Sequence, residues 1–183
     1  MTGTAGMNRW AGFLRLLAVL TALIVLSACG YRFAGSGGNR LASGQSLWVS
    51  FIGVEANNSP SSAQTVLRRA LLDEGHALRG LAPSGSAESA DLRVKGALRS
   101  YASRAMSYTA LDQVREYRLA IEVELELYRR GETKPLWKGT LQSYQDYPSN
   151  KDLSLQRSAE EAALAAASQI LARKFLMAVE QSY

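Results

Sequence analysis

Cysteine and histidine are nearly absent from this sequence, which has one of each in 183 residues. A single cysteine, Cys29, cannot form an intramolecular disulfide, so the fold must be stabilised by packing alone. A single histidine, His76, argues against a histidine-based triad and against a multi-histidine metal site. The one glycine cluster, Gly35-Ser36-Gly37-Gly38, neither follows a predicted strand nor opens a helix, so it is no phosphate loop. The sequence therefore predicts a protein that is not an enzyme and that uses no metal or other cofactor.

Strong charge of either sign is also lacking. The net charge is +5, without an arginine-rich run or a basic tail, and this balance does not indicate nucleic-acid binding. Glu122, Glu124 and Glu126 are candidates for acid–base chemistry, but their spacing of two places them in a row on the solvent face of one strand. Cross-strand ion pairs are the expected use of these carboxylates. The expected partners are Arg93, Lys95, Arg99 and Lys138.

An N-terminal export signal is what the sequence does have. Arg9 and Arg15 flank the start of the uncharged residues 16–26, and two small residues separate that run from Cys29. This order is that of a secretory signal peptide, and the uncharged run of eleven residues is too short for a bilayer span, which takes roughly 20. The segment Leu26-Ser27-Ala28-Cys29 resembles the lipobox of bacterial lipoproteins at all four positions. That resemblance implies cleavage before Cys29 and acylation of the cysteine, with palmitate among the acyl groups.

Three parts of the chain follow from this signal. Residues 1–28 are the predicted signal peptide, and either Met1 or Met7 leaves a complete leader. Residues 29–45, rich in glycine, serine and asparagine, are the predicted lipidated, flexible tether. Residues 46–183 are the predicted single domain, and without the leader the net charge is +3.

Period-two alternation of apolar and polar residues predicts an antiparallel sheet. The longest such segment buries Leu119, Ile121, Val123 and Leu125, and similar segments cover residues 92–99 and 137–143. The apolar residues 47–52 add a fourth strand. Serine and glutamine at positions 61 and 64 form a capping box for a first helix, which the glycine at 75 is expected to end. An alanine-rich stretch to residue 178 predicts a second helix.

The order β-α-β-β-β-α predicts an α+β fold in which two helices pack on one face of a four-stranded, mainly antiparallel sheet. Six of the eight tyrosines lie in or beside this sheet, close to several arginines. Such a surface suits a protein interface that is partly apolar and partly wet, or an amphiphile that carries phosphates. Ordinary sheet-edge tyrosines would give the same pattern.

The chain resembles the family of LPS-assembly lipoproteins, LptE, in the strand at residues 47–52, in the loop at Asn57 and in four further segments. The segments are the opening Cys29-Gly30-Tyr31-Arg32-Phe33-Ala34-Gly35, the helix Thr65-Val66-Leu67-Arg68-Arg69-Ala70-Leu71, the strand start Glu116-Tyr117-Arg118-Leu119, and the break Asp146-Tyr147-Pro148. Each motif is short, and the order of the elements carries more weight than any one of them. The family's two helices on a four-stranded sheet agree with the pattern above.

The resemblance implies a non-enzymatic outer-membrane lipoprotein that faces the periplasm or lies inside the lumen of an outer-membrane β-barrel. Its implied partners are that barrel of the lipopolysaccharide translocon, lipopolysaccharide itself, and the membrane through the acyl chains on Cys29. Gly30 in place of aspartate resembles the signal for outer-membrane retention. The implied lipopolysaccharide contacts are basic residues near the second and third alternating segments, for which Arg104, Arg115 and Lys151 are the candidates.

Two other classes of function remain as alternatives. An envelope lipoprotein of similar architecture could be an adaptor that activates another enzyme, such as a cell-wall synthase. The identity of the partner would discriminate between the adaptor and the lipopolysaccharide-assembly lipoprotein. The adaptor requires a periplasmic enzyme domain as its partner, and the assembly lipoprotein requires an outer-membrane β-barrel. A hydrolase is disfavoured, because the sequence has no recognisable pair of nucleophile and base.

Overall fold

The structure is a computed structural model that describes residues 41–54 and 59–182. The predicted signal peptide, Cys29 and residues 29–40 of the predicted tether lie outside the described residues. The elements, in chain order, are β1 (Ser46–Val54), α1 (Ala63–Arg79), β2 (Ala82–Pro83), β3 (Leu92–Tyr108), β4 (Val114–Arg129), β5 (Trp137–Pro148) and α2 (Leu153–Gln181).

The sheet is mixed, with the strand order β2-β1-β3-β4-β5. β1 runs parallel to both β2 and β3, whereas β3, β4 and β5 are mutually antiparallel. The predicted α+β class with two helices is confirmed, but the predicted four-stranded, mainly antiparallel sheet is wrong in detail. β2 is only two residues long and includes a proline, so it has no periodic signal. β1 and β3 are parallel because α1 makes a crossover connection between them.

The faces of β4 are those that the alternation predicts. Leu119, Ile121, Val123 and Leu125 are at most 1% exposed, whereas the glutamates between them lie on the other face. The buried strand residues form one apolar cluster with Leu67, Leu71 and the buried side of α2. Both helices therefore cover one face of the sheet, here called the inner face, and within residues 41–54 and 59–182 no helix covers the outer face.

The ends of α1 differ from the prediction. The N-cap is Ser62 and makes no side-chain cap hydrogen bond, so the predicted capping box does not form. The helix also passes through Gly75 and ends at Gly80, which has φ of 64°. A Cβ atom at Gly75 would lie 3.3 Å from Leu47 Cδ2, so this glycine permits close packing of α1 on β1. Gly80 supplies the left-handed conformation that ends a helix.

Asp152 is the N-cap of α2, and its Oδ1 accepts hydrogen bonds from the backbone N–H groups of Ser154 at 2.8 Å and Leu155 at 3.2 Å. By length and composition, this helix is apolar enough to cross a membrane, but half of its most apolar stretch is buried in the domain. We therefore regard it as a core helix. Lys174 Nζ donates to the Gln142 carbonyl at 2.8 Å, which ties α2 to the edge strand β5.

β3, β4 and β5 extend well beyond β1, and this extension divides the sheet into two halves. The pairing of β1 with β3 ends at Val54 opposite Leu98. Directly after Leu98, a β-bulge at Arg99 shifts the register, so that Ser100 pairs with Glu122. We call the five-stranded part before this point the proximal half. The distal half consists of residues 100–122 and 142–148.

Candidate functional site

The end of the distal half is built from two chain segments that meet. One is the tip of the β3–β4 hairpin, where Thr109 N donates to the Gln113 carbonyl at 2.8 Å and Asp112 has φ of 60°. The other is the β5–α2 connection, where Ser149 N donates to the Arg115 carbonyl at 3.0 Å. This last bond fixes the start of α2 beside the hairpin.

A cavity of about 470 Å³ lies between these two segments. Its lining residues are Thr109, Gln113, Val114, Arg115, Tyr117, Ser149 and Lys151. Among the described residues, this lining has two cationic side chains and no carboxylate. Within residues 41–54 and 59–182, neither Arg115 nor Lys151 has a side-chain hydrogen bond or an ion pair. Glu116 adjoins Arg115 in sequence, but strand alternation directs it to the opposite face.

Asp152 adjoins Lys151, yet its carboxylate is engaged at the start of α2. The hydroxyl of Ser154 donates to it, and these hydrogen bonds, with those from the backbone of Leu155 and Ser154, lower the pKa of Asp152. Asp152 thus already occupies the backbone N–H groups of Ser154 and Leu155 at the N-terminus of α2. An anion in the cavity would therefore be bound by the side chains of Arg115 and Lys151.

Exposed apolar side chains lie on the same two chain segments that form this basic cavity. Leu111 at the hairpin tip is 81% exposed, and Leu153 at the start of α2 is 83% exposed. Tyr108 and Leu155 are also exposed there. Exposed apolar groups next to unpaired cations are suited to a ligand that has an acidic head and an apolar body.

Arg104, the third predicted contact, is not at this cavity. It pairs in register with Arg118 on the outer face of β3 and β4, whereas the cavity is on the helix side of Tyr117. The structure therefore brings Arg115 and Lys151 together and separates Arg104 from both. The uncharged lining residues, such as Thr109, Gln113 and Ser149, were not predicted, because only the β4–β5 register brings the two segments together.

Glu122, Glu124 and Glu126 of β4 form polar cross-strand contacts on the outer face. Glu124 is bound by Arg99 Nε at 2.9 Å and by Lys138 Nζ at 2.8 Å, and Lys138 also reaches Glu126 at 2.7 Å. The neighbouring cations hold the pKa of both glutamates below their ordinary value, and Lys138 is the largest cause in each case. The predicted ion pairs are thus confirmed for Arg99 and Lys138.

The remaining predicted pairs take other forms. Lys95 Nζ lies 5.0 Å from the centroid of the Tyr128 ring, and Arg93 donates to the Glu132 carbonyl at 3.4 Å. Glu122 accepts from Gln142 instead of from a cation. His76 is exposed on α1. In the part of the chain that the structure describes, no three His, Cys, Asp or Glu side chains are placed to hold a metal.

These features define a two-layer α+β domain that has a basic cavity and exposed apolar side chains at one end of its sheet. The profile of the lipopolysaccharide-assembly family LptE matches residues 49–179, and the chain belongs to this family. Membership confirms the resemblance seen in the sequence. It places the protein among the envelope lipoproteins with a structural role in assembly.

Solved structures with the same fold include two bacterial proteins. A candidate lipoprotein from Caulobacter crescentus is 18% identical, with a TM-score of 0.50, and the match covers 72% of this chain and 86% of that one. The rare lipoprotein B from Shewanella oneidensis is 17% identical, with a TM-score of 0.50 and coverage of 75% and 96%. At these identities the likeness shows the fold. The comparison with curated protein sequences finds no significant match.

Proposed function

We propose that this protein is an outer-membrane lipoprotein that associates with a β-barrel partner and takes part in lipopolysaccharide assembly at the outer membrane. The family match supports the process. The basic cavity at the distal end is the observation that carries the contact with lipopolysaccharide. Residues 1–28 are the proposed leader, and residues 29–45 are the proposed tether between the acylated Cys29 and the domain.

The cavity suits the chemistry of lipopolysaccharide, which combines phosphorylated sugars with acyl chains. Arg115 and Lys151 would donate charge-assisted hydrogen bonds to phosphate oxygens. Leu111 and Leu153 would meet the apolar part of the same molecule. The alternative of an adaptor for a cell-wall synthase gains no support from the family match, which concerns lipopolysaccharide.

A paired charge reversal tests this contact. Arg115→Glu together with Lys151→Glu should weaken lipopolysaccharide binding more than about tenfold, because each charge-assisted bond contributes roughly 1.5–3 kcal/mol and about 1.4 kcal/mol is a factor of ten. Binding would be measured on the detergent-solubilised lipoprotein. Thermal unfolding should change little, and co-purification with the barrel should survive.

The matched control is Arg129→Glu with Lys134→Glu, which makes the same charge change at exposed positions far from the cavity. It should leave binding nearly unchanged. An equal loss of lipopolysaccharide binding in both double variants would show that the effect comes from net charge and not from the cavity. Full binding by the folded Arg115/Lys151 variant would show that the cavity does not bind lipopolysaccharide.

The lipid anchor has its own test. Cys29→Ala should leave the domain folded but release it from the membrane or block removal of the leader. Mass spectrometry of the purified mature protein decides the matter, since acylation requires an N-terminus at Cys29 and added acyl mass. A different N-terminus, or an unmodified cysteine, would overturn the proposed anchor.

A further inference from the structure

The outer face of the distal half presents a grid of nine side chains. Its three rows across β3, β4 and β5 are Ser100–Glu122–Gln142, Ala102–Ala120–Tyr144 and Arg104–Arg118–Asp146. Two small alanines in the middle row leave a hollow at the centre of the grid. The corresponding cavity has a volume of about 330 Å³, and the half-exposed side chains of Tyr144 and Met106 line it.

Polar contacts close the hollow at both ends. In the first row, Gln142 Nε2 donates to Glu122, and the hydroxyl of Tyr144 donates to Gln142 Oε1 at 2.7 Å. In the third row, Arg118 binds Asp146 through two hydrogen bonds of 2.6 and 2.8 Å. This pairing raises the pKa of Arg118 and lowers that of Asp146.

Arg104 has no charged partner among the side chains of the grid. It lies directly opposite Arg118, and like charges in register destabilise a strand pair. Asp146 compensates Arg118 alone. Among the described residues, no side chain forms a hydrogen bond or an ion pair with Arg104. The hollow therefore has an apolar floor, Arg104 without a charged partner at one end, and Glu122, which is bound by the neutral Gln142, at the other. An incoming carboxylate would pair with Arg104 at its own end of the hollow.

We propose that this hollow, which we name the alanine socket, is a docking site for a protein partner. An apolar side chain of the partner inserts over Ala102 and Ala120, and an acidic residue close to it in the partner's sequence pairs with Arg104. The inference rests on the proposed association with a protein partner, and it names the surface and the chemistry of that association.

The shape and composition of the alanine socket favour a protein side chain over an acyl chain. Both ends are bounded by paired polar rows, so a long acyl chain would have to cross Glu122–Gln142 or Arg118–Asp146. Tyrosine, methionine and arginine, which stand around the floor, are residue types enriched in protein interfaces. The basic cavity with Arg115 and Lys151 is on the opposite face, so both sites can be occupied together.

Site-specific crosslinking in native membranes tests the docking. The full-length lipoprotein would carry p-benzoylphenylalanine in place of Tyr144, and the crosslinked partner peptide would be sequenced by mass spectrometry. We expect a segment with an apolar residue within two positions of Asp or Glu. The same probe in place of Thr140, which lies on the same face of β5 outside the grid, should give at least fivefold less of this product.

Two further variants test the socket itself. Ala120→Leu fills the floor and should lower the crosslink yield at least fivefold, whereas Thr140→Leu adds the same apolar bulk outside the grid and should not. Arg104→Glu should lower the yield to a similar degree, and changing the partner's identified acidic residue to Arg should restore it. Circular dichroism would verify that each variant is folded.

Several outcomes would overturn the inference. They are the absence of a crosslink from position 144, a crosslink only to lipid or lipopolysaccharide, a partner segment without a carboxylate, or an unchanged yield in folded Ala120→Leu. Failure here, with lipopolysaccharide binding still dependent on Arg115 and Lys151, would remove the socket and leave that contact standing. The reverse result would keep the socket and remove that contact.

Discussion

The proximal and distal halves of the sheet share three strands but are stabilised by different interactions. In the proximal half, the inner face is aliphatic, with Leu125 and Leu127 fully buried, and the rings of Trp137 and Phe175 meet edge to face at 5.3 Å between centroids. In the distal half, Leu119 and Ile121 are still buried, but contacts of polar aromatic side chains are added to this packing. The stability of the proximal half therefore depends on its buried apolar area. That of the distal half depends in addition on the geometry of its hydrogen bonds and on the protonation of its tyrosines.

Tyrosines hold the distal half against α2. The hydroxyl of Tyr101 donates to Glu160 Oε1 at 2.6 Å, and the hydroxyls of Tyr147 and Ser103 lie 2.5 Å apart. The rings of Tyr117 and Tyr147 stack with centroids 5.6 Å apart. Both candidate sites are in this half. Both proposed sites therefore lie where tyrosine hydroxyls take part in the packing, and we expect single changes there to cost the fold less than changes in the proximal core.

The largest expected effect is in the proximal core. Leu125→Ala should lower the free energy of unfolding by about 2–5 kcal/mol, because it removes a fully buried side chain and leaves a cavity. Urea unfolding followed by circular dichroism measures this. A cost below that of the distal variants would break the contrast between the two halves.

A smaller loss is expected for Tyr101→Phe in the distal half. The ring remains, but Glu160 loses its hydrogen bond, and bonds to charged groups contribute roughly 1.5–3 kcal/mol, so we expect a cost near the lower end for this half-buried pair. Tyr144→Phe is the matched control, because that hydroxyl is exposed and bonds only to Gln142. Equal costs for the two variants would show that Tyr101 does not fasten α2.

Alkaline pH should weaken the tyrosine contacts of the distal half and so lower the free energy of unfolding. Burial, and then the hydrogen bond to Glu160, raise the pKa of Tyr101, and burial raises that of Tyr147. The unfolded chain loses these protons near pH 10, whereas the folded protein retains them. The stabilisation is therefore complete below about pH 10 and is lost as the pH rises further. Unfolding free energies between pH 8 and 11 should fall less steeply for Tyr101→Phe than for the wild type.

The smallest expected effect is that of Glu124→Gln on the outer face. The sequence treats Glu124 as a solvent-facing residue whose removal costs little, and the structure adds two cationic partners. Its lowered pKa means that the stabilisation is present above the ordinary glutamate pKa and is lost as the pH falls. The change in urea midpoint should be slight and should disappear in 1 M salt. Glu132→Gln serves as a control without these partners, and a salt-independent loss would contradict the ion-pair origin.

Local periodicity was sufficient for most of the fold. The alternation of β4 predicts which face of Leu119 and Glu122 is buried, because tertiary packing and local pattern agree there. β2 could not be predicted, since Ala82 and Pro83 form a strand only by pairing with β1 across the length of α1. Gly75 was mistaken for a helix end because sequence does not distinguish a glycine needed for close packing from one needed for its φ angle.

The candidate site was predicted in part. Arg115 and Lys151 were selected as flanking cations, and the β4–β5 register indeed places them at one cavity. Arg104 was grouped with them because it also lies beside an alternating segment. Position along the chain does not show on which face of the sheet a side chain lies. Regular alternation from Leu98 would have placed Ser100, Ala102 and Arg104 under the helices. The β-bulge at Arg99 inserts one extra residue and so places them on the outer face.

The bulge at Arg99 also has a consequence for how the family can change in length. Removing one residue from the interior of a regular strand exchanges the two faces of everything beyond it. Removing Arg99 would not, because Leu98 would still face the helices and Ser100 would still face outward. Such a deletion would cost the ion pair with Glu124 but leave the alanine socket and the tyrosine contacts on their present sides. This position in β3 is thus a point where a one-residue deletion would keep both surfaces.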